Sequence, residues 1–283
     1  MTGPLLILGA GAMGRALAGA LIARGLASEV HIWSRRPEAA RSLATAVAGV
    51  HVVEDLEQAP DLDAALLAVK DAGLEEVAGA LLTAGCAPPV VLHTSGYHDV
   101  EVLAALAGTS ARGVLHPAAA LRASGPPSTH RGDVFEGVRF GVSGEAPALE
   151  LARRLATGLG GIALEVAGAE RPLYHAAAAL LSNGWVALFA EADALLAEAL
   201  PHATAAERHG LALALARSTL ANLADQAPED GLAGALTGPV ARGDEAVVRG
   251  HLGALAASGE PERAALYEQL VAAMRRLVAR GEA

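Results

Sequence analysis

The stretch Leu5-Leu-Ile-Leu-Gly-Ala-Gly-Ala-Met-Gly14 decides the fold that the sequence predicts. A short apolar run, typical of a buried strand, ends in a Gly-x-Gly-x-x-Gly pattern, and a helical pattern closed by Gly25 follows it. In a strand–turn–helix unit the first glycine permits a tight turn, the second admits a pyrophosphate, and the third lets the helix pack on the strand. The pattern by itself also fits a glycine cluster that only packs a helix. Its position between the first strand and the first helix favours dinucleotide binding.

The first half of the chain alternates strand and helix patterns. Strands are predicted at residues 5–8, 30–33, 50–53, 63–69, 90–93, 113–116, 139–142 and 162–166. From Arg171 onward only alanine- and leucine-rich helical patterns occur. This order predicts an α/β fold with a doubly wound parallel sheet, the Rossmann type, covered on both faces. We expect this domain at residues 1–168 and an all-α domain at residues 169–283.

Composition excludes several classes of protein. With 53% hydrophobic and 18% charged residues, the 283-residue chain is predicted to fold compactly. Its formal net charge of −10 argues against binding to nucleic acid or to an anionic membrane. The single cysteine, Cys86, predicts a reducing compartment, and no Cys/His spacing suits a metal. The apolar run at residues 5–8 lacks a basic segment before it, so we expect a cytoplasmic protein without a signal peptide.

The end of the second predicted strand indicates which dinucleotide binds. The sequence there is Ser34-Arg35-Arg36-Pro37, without the acid that holds the ribose of NAD. Two arginines oppose the dipole at a helix N-terminus unless an anion lies between them. Ser34, Arg35 and Arg36 therefore predict a site for the 2'-phosphate of NADP.

Polar residues at the ends of other strands are candidates for the chemistry. The residues predicted to contact the cofactor are Gly9, Ala10, Gly11, Ala12, Met13, Gly14, Val69, Lys70, Thr94 and Ser95. Lys70 and His116 are also candidate catalytic residues, because the carboxyl ends of parallel strands form the ligand edge of such a sheet. The alternative for each polar side chain is a structural role in capping a turn or a helix.

The helical half holds two further candidate sites. His175 and Asn183 lie eight residues apart in an alanine-rich helix, so they share one side of it. They could line a cleft or be paired within a helix contact. The stretch 236–244, Leu-Thr-Gly-Pro-Val-Ala-Arg-Gly-Asp, predicts a shaped loop with Arg242 and Asp244 as substrate-binding candidates beside Asn183 and Ser95.

These motifs together resemble a bacterial family of Rossmann-like oxidoreductases whose helical C-terminal half is a domain of unknown function. The motifs that carry the resemblance are the glycine turn, His93-Thr-Ser-Gly96, His116-Pro117, Leu173-Tyr-His-Ala-Ala-Ala178 with Asn183, and the 236–244 loop followed by His251-Leu. The family is similar to a wider group that contains ketopantoate reductases, pyrroline-5-carboxylate reductases and 6-phosphogluconate dehydrogenases.

The resemblance implies an active site in a cleft between the two domains, and it implies residue roles. In hydroxyacid dehydrogenases of the wider group, a catalytic lysine precedes an asparagine by one turn. Asn183 matches that asparagine, but Ala179 stands where the lysine would be. His175, one turn earlier, is the nearest titratable replacement, and His116 is the other candidate proton donor.

The sequence therefore predicts an NADPH-dependent reductase of a small 2-oxo acid, with ketopantoate as the favoured example. An imine reductase of the pyrroline-5-carboxylate type fits the missing lysine, because a protonated imine brings its own proton. A protein that senses NADP(H) without turnover is a third hypothesis. The resemblance and the alanine-rich helices also lead us to expect a homodimer.

Overall fold

The computed structural model describes residues 3–121, 133–226 and 231–281. Eight strands form one sheet: β1 Leu5–Leu8, β2 Val30–Trp33, β3 Val50–Val52, β4 Ala64–Leu67, β5 Val90–His93, β6 Ala111–Pro117, β7 Arg139–Gly144 and β8 Ile162–Glu165. All eight predicted strands are present. The glycine- and proline-containing stretch 125–137 also predicts a loop inside this domain, and most of it lies outside the described residues.

The strand order is β3-β2-β1-β4-β5-β6-β7-β8. The first six positions follow the 3-2-1-4-5-6 order of dinucleotide-binding sheets, in which the direction of winding reverses between β1 and β4. The predicted fold class is confirmed. The sheet departs from a wholly parallel one at a single pairing, since β7 runs antiparallel to β6.

The described helices are α1 Ala12–Ala23, α2 Pro37–Ala46, α3 Leu74–Thr83, α4 Ala146–Gly158, α5 Arg171–Ala179, α6 Trp185–Ala199, α7 Ala205–Ala224, α8 Glu245–Ala257 and α9 Pro261–Gly281. A 3₁₀ segment at Val100–Leu106 connects β5 to β6. The sequence pattern did not predict a helix there. A π-helical turn, Leu180–Gly184, lies between α5 and α6.

The central strand β1 is apolar on both faces. Leu5 and Ile7 belong to one buried cluster, which includes Leu17 of α1. Leu6 and Leu8 belong to a second cluster on the opposite face, which includes residues of α3. Because side chains alternate along a strand, an uninterrupted apolar run suits a sheet that is covered on both sides.

The chain divides into two compact units, Met1–Ser182 and Asn183–Ala283. The predicted domain boundary fell earlier, at residue 168. Arg171 and Tyr174 of α5 make hydrogen bonds to residues of β6 and β7, so α5 belongs to the first unit. Composition could not reveal this, because α5 has the same alanine-rich character as the helices that follow it.

Buried apolar residues are few and small in the described part of the second unit. They are Ala212, Ala235, Val248 and Val271. Between α6 and α7 runs an open apolar groove lined by residues that include Trp185, Phe189 and Leu215. By length and composition, the helical segment 168–199 could cross a membrane, but one such helix is weak evidence for a membrane protein.

Candidate functional site

In the turn after β1, a side chain would find open space at Gly11 but would clash at Gly9 and Gly14. A Cβ on Gly14 would lie 1.8 Å from the carbonyl oxygen of Gly9, so only glycine lets α1 approach the strand this closely. Gly9 has φ +118°, which favours glycine, and a Cβ there would lie 2.4 Å from the Ala68 oxygen. A Cβ on Gly11 would meet nothing within 4 Å. Gly11 is the N-cap of α1, and no side chain caps the helix there.

This arrangement fits the pyrophosphate of a dinucleotide. The first N–H groups of a helix have no partner inside the helix and carry a partial positive charge. The first turn of α1 has no acidic residue to neutralise that charge. An anion bound beside Gly11 could therefore accept hydrogen bonds from the backbone without a side chain in its way.

The predicted 2'-phosphate residues lie together at the start of α2. The Ser34 hydroxyl accepts a hydrogen bond from the backbone N–H of Arg36 at 3.2 Å, which fixes the turn before Pro37. The Arg35 guanidinium forms an ion pair with Glu76 of α3 at 3.0 Å. Both side chains are more than half exposed, so the pair contributes little stability and can open for a phosphate. Glu76 was not among the residues predicted from the sequence.

The polar residues after β5 have structural partners. The ring of His93 is buried: its Nδ1 accepts from the Ser95 N–H at 3.2 Å, so Nε2 donates to the Asp99 carbonyl at 3.2 Å. Burial is the main cause that lowers the pKa of His93 to about 4, so the ring is neutral at physiological pH. The Thr94 hydroxyl donates to the Leu67 carbonyl, and the Ser95 Oγ accepts from the backbone N–H of His98. These side chains stiffen the turn that carries Gly96.

Two histidines from different elements meet beside Gly96. A Cβ on Gly96 would lie 2.8 Å from Nε2 of His116 and 2.8 Å from Cδ2 of His175, so both rings approach the backbone where no side chain stands. The ring centroids of the two histidines are 6.1 Å apart. Nδ1 of His116 is 2.8 Å from the hydroxyl of Tyr174, the neighbour of His175 in α5. The structure thus brings together two of the predicted catalytic residues.

Burial and nearby charge set the protonation of this cluster. Burial, followed by the charges of His175 and Arg171, lowers the pKa of His116 to about 4, and Asp71 opposes the shift. Burial raises the pKa of Tyr174, while the charge of Arg171 lowers it. At physiological pH, His116 is therefore a neutral imidazole hydrogen-bonded to a neutral phenol.

Arg171 supplies a fixed positive charge whose field reaches His116 and Tyr174. Its side chain is fully buried, and Nε and one terminal nitrogen donate to the Ser143 hydroxyl at 3.1 and 3.0 Å. Asp99 lies 3.9 Å away and accepts from Ser143 at 3.2 Å. Within the described ranges, the other terminal nitrogen, Nη1, has no hydrogen-bond partner. The charge of Arg171 is thus only partly neutralised by its surroundings.

The remaining predicted residues occupy separate places. Val69 and Lys70 follow β4 at the carboxyl edge of the sheet, which is also the edge of Gly9, and Lys70 is exposed. Asn183 is exposed in the π-helical turn where the second unit begins. Arg242 pairs with Asp244 at 3.0 Å within its own loop. The predicted roles of Asn183, Arg242 and Asp244 toward a substrate stay predictions.

Sequence reasoning missed Tyr174, Arg171 and Gly141. Gly141 faces His116 in the β6–β7 ladder, and a Cβ there would lie 2.8 Å from the Tyr174 hydroxyl. Tyr174 adjoins His175 in the sequence, which was the available signal. Nothing local pairs it with His116, which lies in another element.

Comparisons with known families agree with this geometry. Residues 4–94 match the family model described as NADP oxidoreductase coenzyme F420-dependent, and residues 138–274 match a domain of unknown function, DUF2520. The chain thus combines an N-terminal match to an NADP oxidoreductase family with a C-terminal match to DUF2520. The predicted resemblance, the oxidoreductase class and the NADP cofactor are thereby confirmed. No curated protein matches the chain by sequence.

Solved structures share the fold of this NADP oxidoreductase. A candidate NADP oxidoreductase from Bacteroides fragilis is 24% identical with a TM-score of 0.73, covering 96% of this chain and 98% of its own. A pyrroline-5-carboxylate reductase from Coxiella burnetii is 19% identical with a TM-score of 0.63, covering 100% and 98%. An imine reductase from Streptomyces aurantiacus is 20% identical with a TM-score of 0.60, covering 98% and 95%. At these identities the likeness concerns the fold alone.

Proposed function

We propose that this NADP-dependent oxidoreductase reduces a small 2-oxo acid, with ketopantoate as the favoured example. The observation that carries the proposal is the meeting of His116 and His175 beside Gly96, on the sheet edge that also bears the glycine turn. Reduction of a carbonyl requires a proton donor at the oxygen, and imidazoles are suited to that task.

The glycine turn and the start of α2 would hold the cofactor. The backbone of Gly9, Gly11 and Gly14 leaves room for the pyrophosphate, and Ser34 with the neighbouring arginines would hold the 2'-phosphate. NADPH, when bound, supplies the hydride. Lys70, which makes no ion pair with any described residue, is our candidate for the substrate carboxylate, with Arg242 as the second.

Single substitutions of the two histidines test the proton donor. Removing a general acid costs about 100-fold or more in kcat, so His116→Ala or His175→Ala should show that loss with ketopantoate. Affinity for NADPH, measured by calorimetry, should stay within threefold of the wild type. Exposed His51 of β3 provides the control variant, His51→Ala, which should leave both quantities unchanged. If neither histidine variant loses threefold in kcat, the proposed acid is wrong.

Imine reduction is the second candidate, and two observations favour it. The resemblance places Ala179 where hydroxyacid dehydrogenases have a catalytic lysine, and the fold is shared with a pyrroline-5-carboxylate reductase and an imine reductase. Turnover of NADPH should be compared on ketopantoate, other 2-oxo acids and cyclic imines. A preference of tenfold or more in kcat/KM for the imines would replace the 2-oxo acid proposal. Tight NADPH binding without turnover of any of them would favour the sensor.

We also propose that the protein is a cytoplasmic homodimer. Leu180 and Leu181, in the π-helical turn, are 71% and 75% exposed, and exposed apolar groups of this kind are typical of interaction surfaces. Light scattering after size-exclusion chromatography should give a dimer mass, and Leu180→Ser with Leu181→Ser should shift it toward the monomer. Leu82→Ser in α3, where the leucine is 42% exposed, is the matched control. A wild-type monomer at micromolar concentration would refute the dimer.

A further inference from the structure

The contact between Tyr174 and His116 is built into the backbone. The hydroxyl lies 2.8 Å from Nδ1, and the two rings meet edge to face with centroids 5.5 Å apart. Gly141 makes this possible, because a Cβ at that position would lie 2.8 Å from the hydroxyl oxygen and 2.9 Å from Cζ of the tyrosine. His116 and Gly141 are direct partners in the β6–β7 ladder, so one strand pair both holds the imidazole and makes room for the phenol.

This contact can pass a proton from the phenol to the imidazole. A phenol has one O–H to donate, and Nδ1 of a neutral imidazole accepts when the ring carries its proton on Nε2. The Tyr174 hydroxyl lies 2.8 Å from Nδ1 of His116, and Nε2 lies beside Gly96. With Tyr174 as the donor, His116 carries its proton on Nε2.

A neutral imidazole is a poor acid unless it is supplied with a second proton. Burial and the charges of His175 and Arg171 lower the pKa of His116 to about 4, while Asp71 acts in the opposite direction. At pH 7 the ring has one N–H, and losing it would leave an imidazolate, a strong base. If a proton arrives at Nδ1 while the proton on Nε2 leaves, the ring stays neutral throughout.

We propose that Tyr174 is the proton-relay residue behind His116. As the substrate carbonyl is reduced, the Nε2–H bond of His116 breaks and an O–H bond forms on the substrate. At the same time the O–H bond of Tyr174 breaks and an Nδ1–H bond forms, and the tyrosinate then recovers a proton from water. NADPH is the reductant, so atoms and charge balance. The relay rests on the proposed function, since it requires a substrate that takes up a proton at the site.

Arg171 is placed to stabilise the intermediate state of this relay. Burial is the main cause that raises the pKa of Tyr174 and lowers that of His116, and the fully buried charge of Arg171 opposes the first shift and adds to the second. Arg171 therefore favours a tyrosinate beside a neutral imidazole. Asp99 neutralises that charge only in part, since the two groups are 3.9 Å apart. Tyr174 acts through His116 rather than on the substrate, so it is a positioning residue with a transferable proton.

Tyr174→Phe tests the relay, and the second unit offers a matched control. Tyr267 forms the same pair with Nδ1 of His251 at 2.8 Å in the helical unit, so Tyr267→Phe removes an equivalent hydrogen bond elsewhere. We expect Tyr174→Phe to lower kcat for a 2-oxo acid about 100-fold, with unchanged affinity for NADPH, and Tyr267→Phe to change it less than threefold. The double variant His116→Gln/Tyr174→Phe should be no slower than His116→Gln alone, because residues that act as a unit are not additive. If the loss of kcat in the double variant is the product of the two single losses, the relay is wrong.

Nitrogen NMR of the histidine side chains gives a readout that needs no substrate. In the wild type, His116 should be the Nε2–H tautomer at pH 7, and in Tyr174→Phe it should become a mixture of both tautomers. A wild-type His116 protonated on Nδ1 would overturn the relay whatever the substrate is. The expected tautomer together with turnover of imines alone would instead refute the proposed substrate class. In that case, the relay would be overturned as well if Tyr174→Phe had the same kcat as the wild type with an imine substrate.

Discussion

The two units of this protein bury their apolar residues in different ways. In the first unit, leucine, isoleucine and phenylalanine side chains from the central strands of the sheet are fully buried, among them Leu66 and Phe140. In the described part of the second unit, the buried apolar side chains are no larger than valine, while Leu215 and Leu220 are at least half exposed. A sheet covered on both faces supplies its own core, whereas helices whose leucines face outward depend on a further surface to cover them.

Truncating one leucine in each unit should give the largest contrast. Leu66 in β4 is fully buried. Leu66→Ala should lower the free energy of unfolding by about 2–5 kcal/mol, because the hydrophobic free energy of the removed atoms is lost and a cavity is left behind. Leu215 in α7 is 59% exposed, so Leu215→Ala should cost less than about 1 kcal/mol in dilute protein. Urea unfolding followed by circular dichroism measures both. Equal losses at low concentration would show that the helical unit has a core of its own.

A glycine-to-alanine pair should give effects of opposite sign. Gly14→Ala places a Cβ 1.8 Å from a backbone oxygen, so overpacking should cost about 1–3 kcal/mol. Gly253 lies inside α8 with nothing within 4 Å of a Cβ, so Gly253→Ala should raise stability by up to about 1 kcal/mol through helix propensity. Thermal unfolding of both variants checks the signs. If Gly253→Ala lowers the thermal stability instead, another surface packs closely against α8.

Acid should weaken the first unit through its buried histidines. The unfolded chain takes up a proton on each histidine near pH 6.5, but His93 and His116 resist it until about pH 4 in the folded state. The unfolded state therefore binds more protons between these values, and stability falls as pH is lowered from 6.5 to 4. Each histidine should contribute on the order of 1–2 kcal/mol between pH 7 and 5.

Urea midpoints at pH 7 and pH 5 measure this effect. His116→Gln should lose about half of the pH dependence, while the control His51→Gln, on the exposed side of β3, should retain all of it. Identical pH dependence in the wild type and in His116→Gln would contradict the proposed burial of that imidazole.

The smallest expected effect is local to the helical unit. Thr204 and Glu207 form a capping box at the start of α7: the Thr204 hydroxyl accepts from the Glu207 N–H at 3.3 Å, and Glu207 accepts from the Thr204 N–H at 2.8 Å. Thr204→Ala should cost about 1 kcal/mol. Hydrogen exchange should accelerate in α7 and stay constant in the sheet, and Ser218→Ala, within the same helix, is the control. Faster exchange in the sheet would mean that the two units unfold together.

Much of the fold and part of the site were predictable from the sequence. The apolar runs that predicted β1, β2 and β5 match the strands, because a short run of largely buried residues flanked by turn residues is a local pattern. The glycine turn was predictable for the same reason. The antiparallel β7 and the 3₁₀ segment at Val100–Leu106 were not, since strand direction and short irregular helices leave little periodicity.

The candidate site shows where sequence reasoning stopped. His116 and His175 were recognised as candidates one by one, from strand ends and from a family motif. That they meet at Gly96, with Tyr174 on the far nitrogen of His116, depends on the register of β6 with β7 and on the packing of α5. Similarly, Glu76 reaches Arg35 from another element, across 41 residues of chain.

The sequence by itself determined the order of strands and helices, the dinucleotide turn and the preference for NADP, because each of these depends on residues that are neighbours in the chain. Only the tertiary structure decided which polar groups share a site, how Arg171 is buried and why His116 is neutral. The physical reason is that hydrogen bonds and burial join residues far apart in the chain. The partners of each group are fixed only when the strands pair in register and the helices pack.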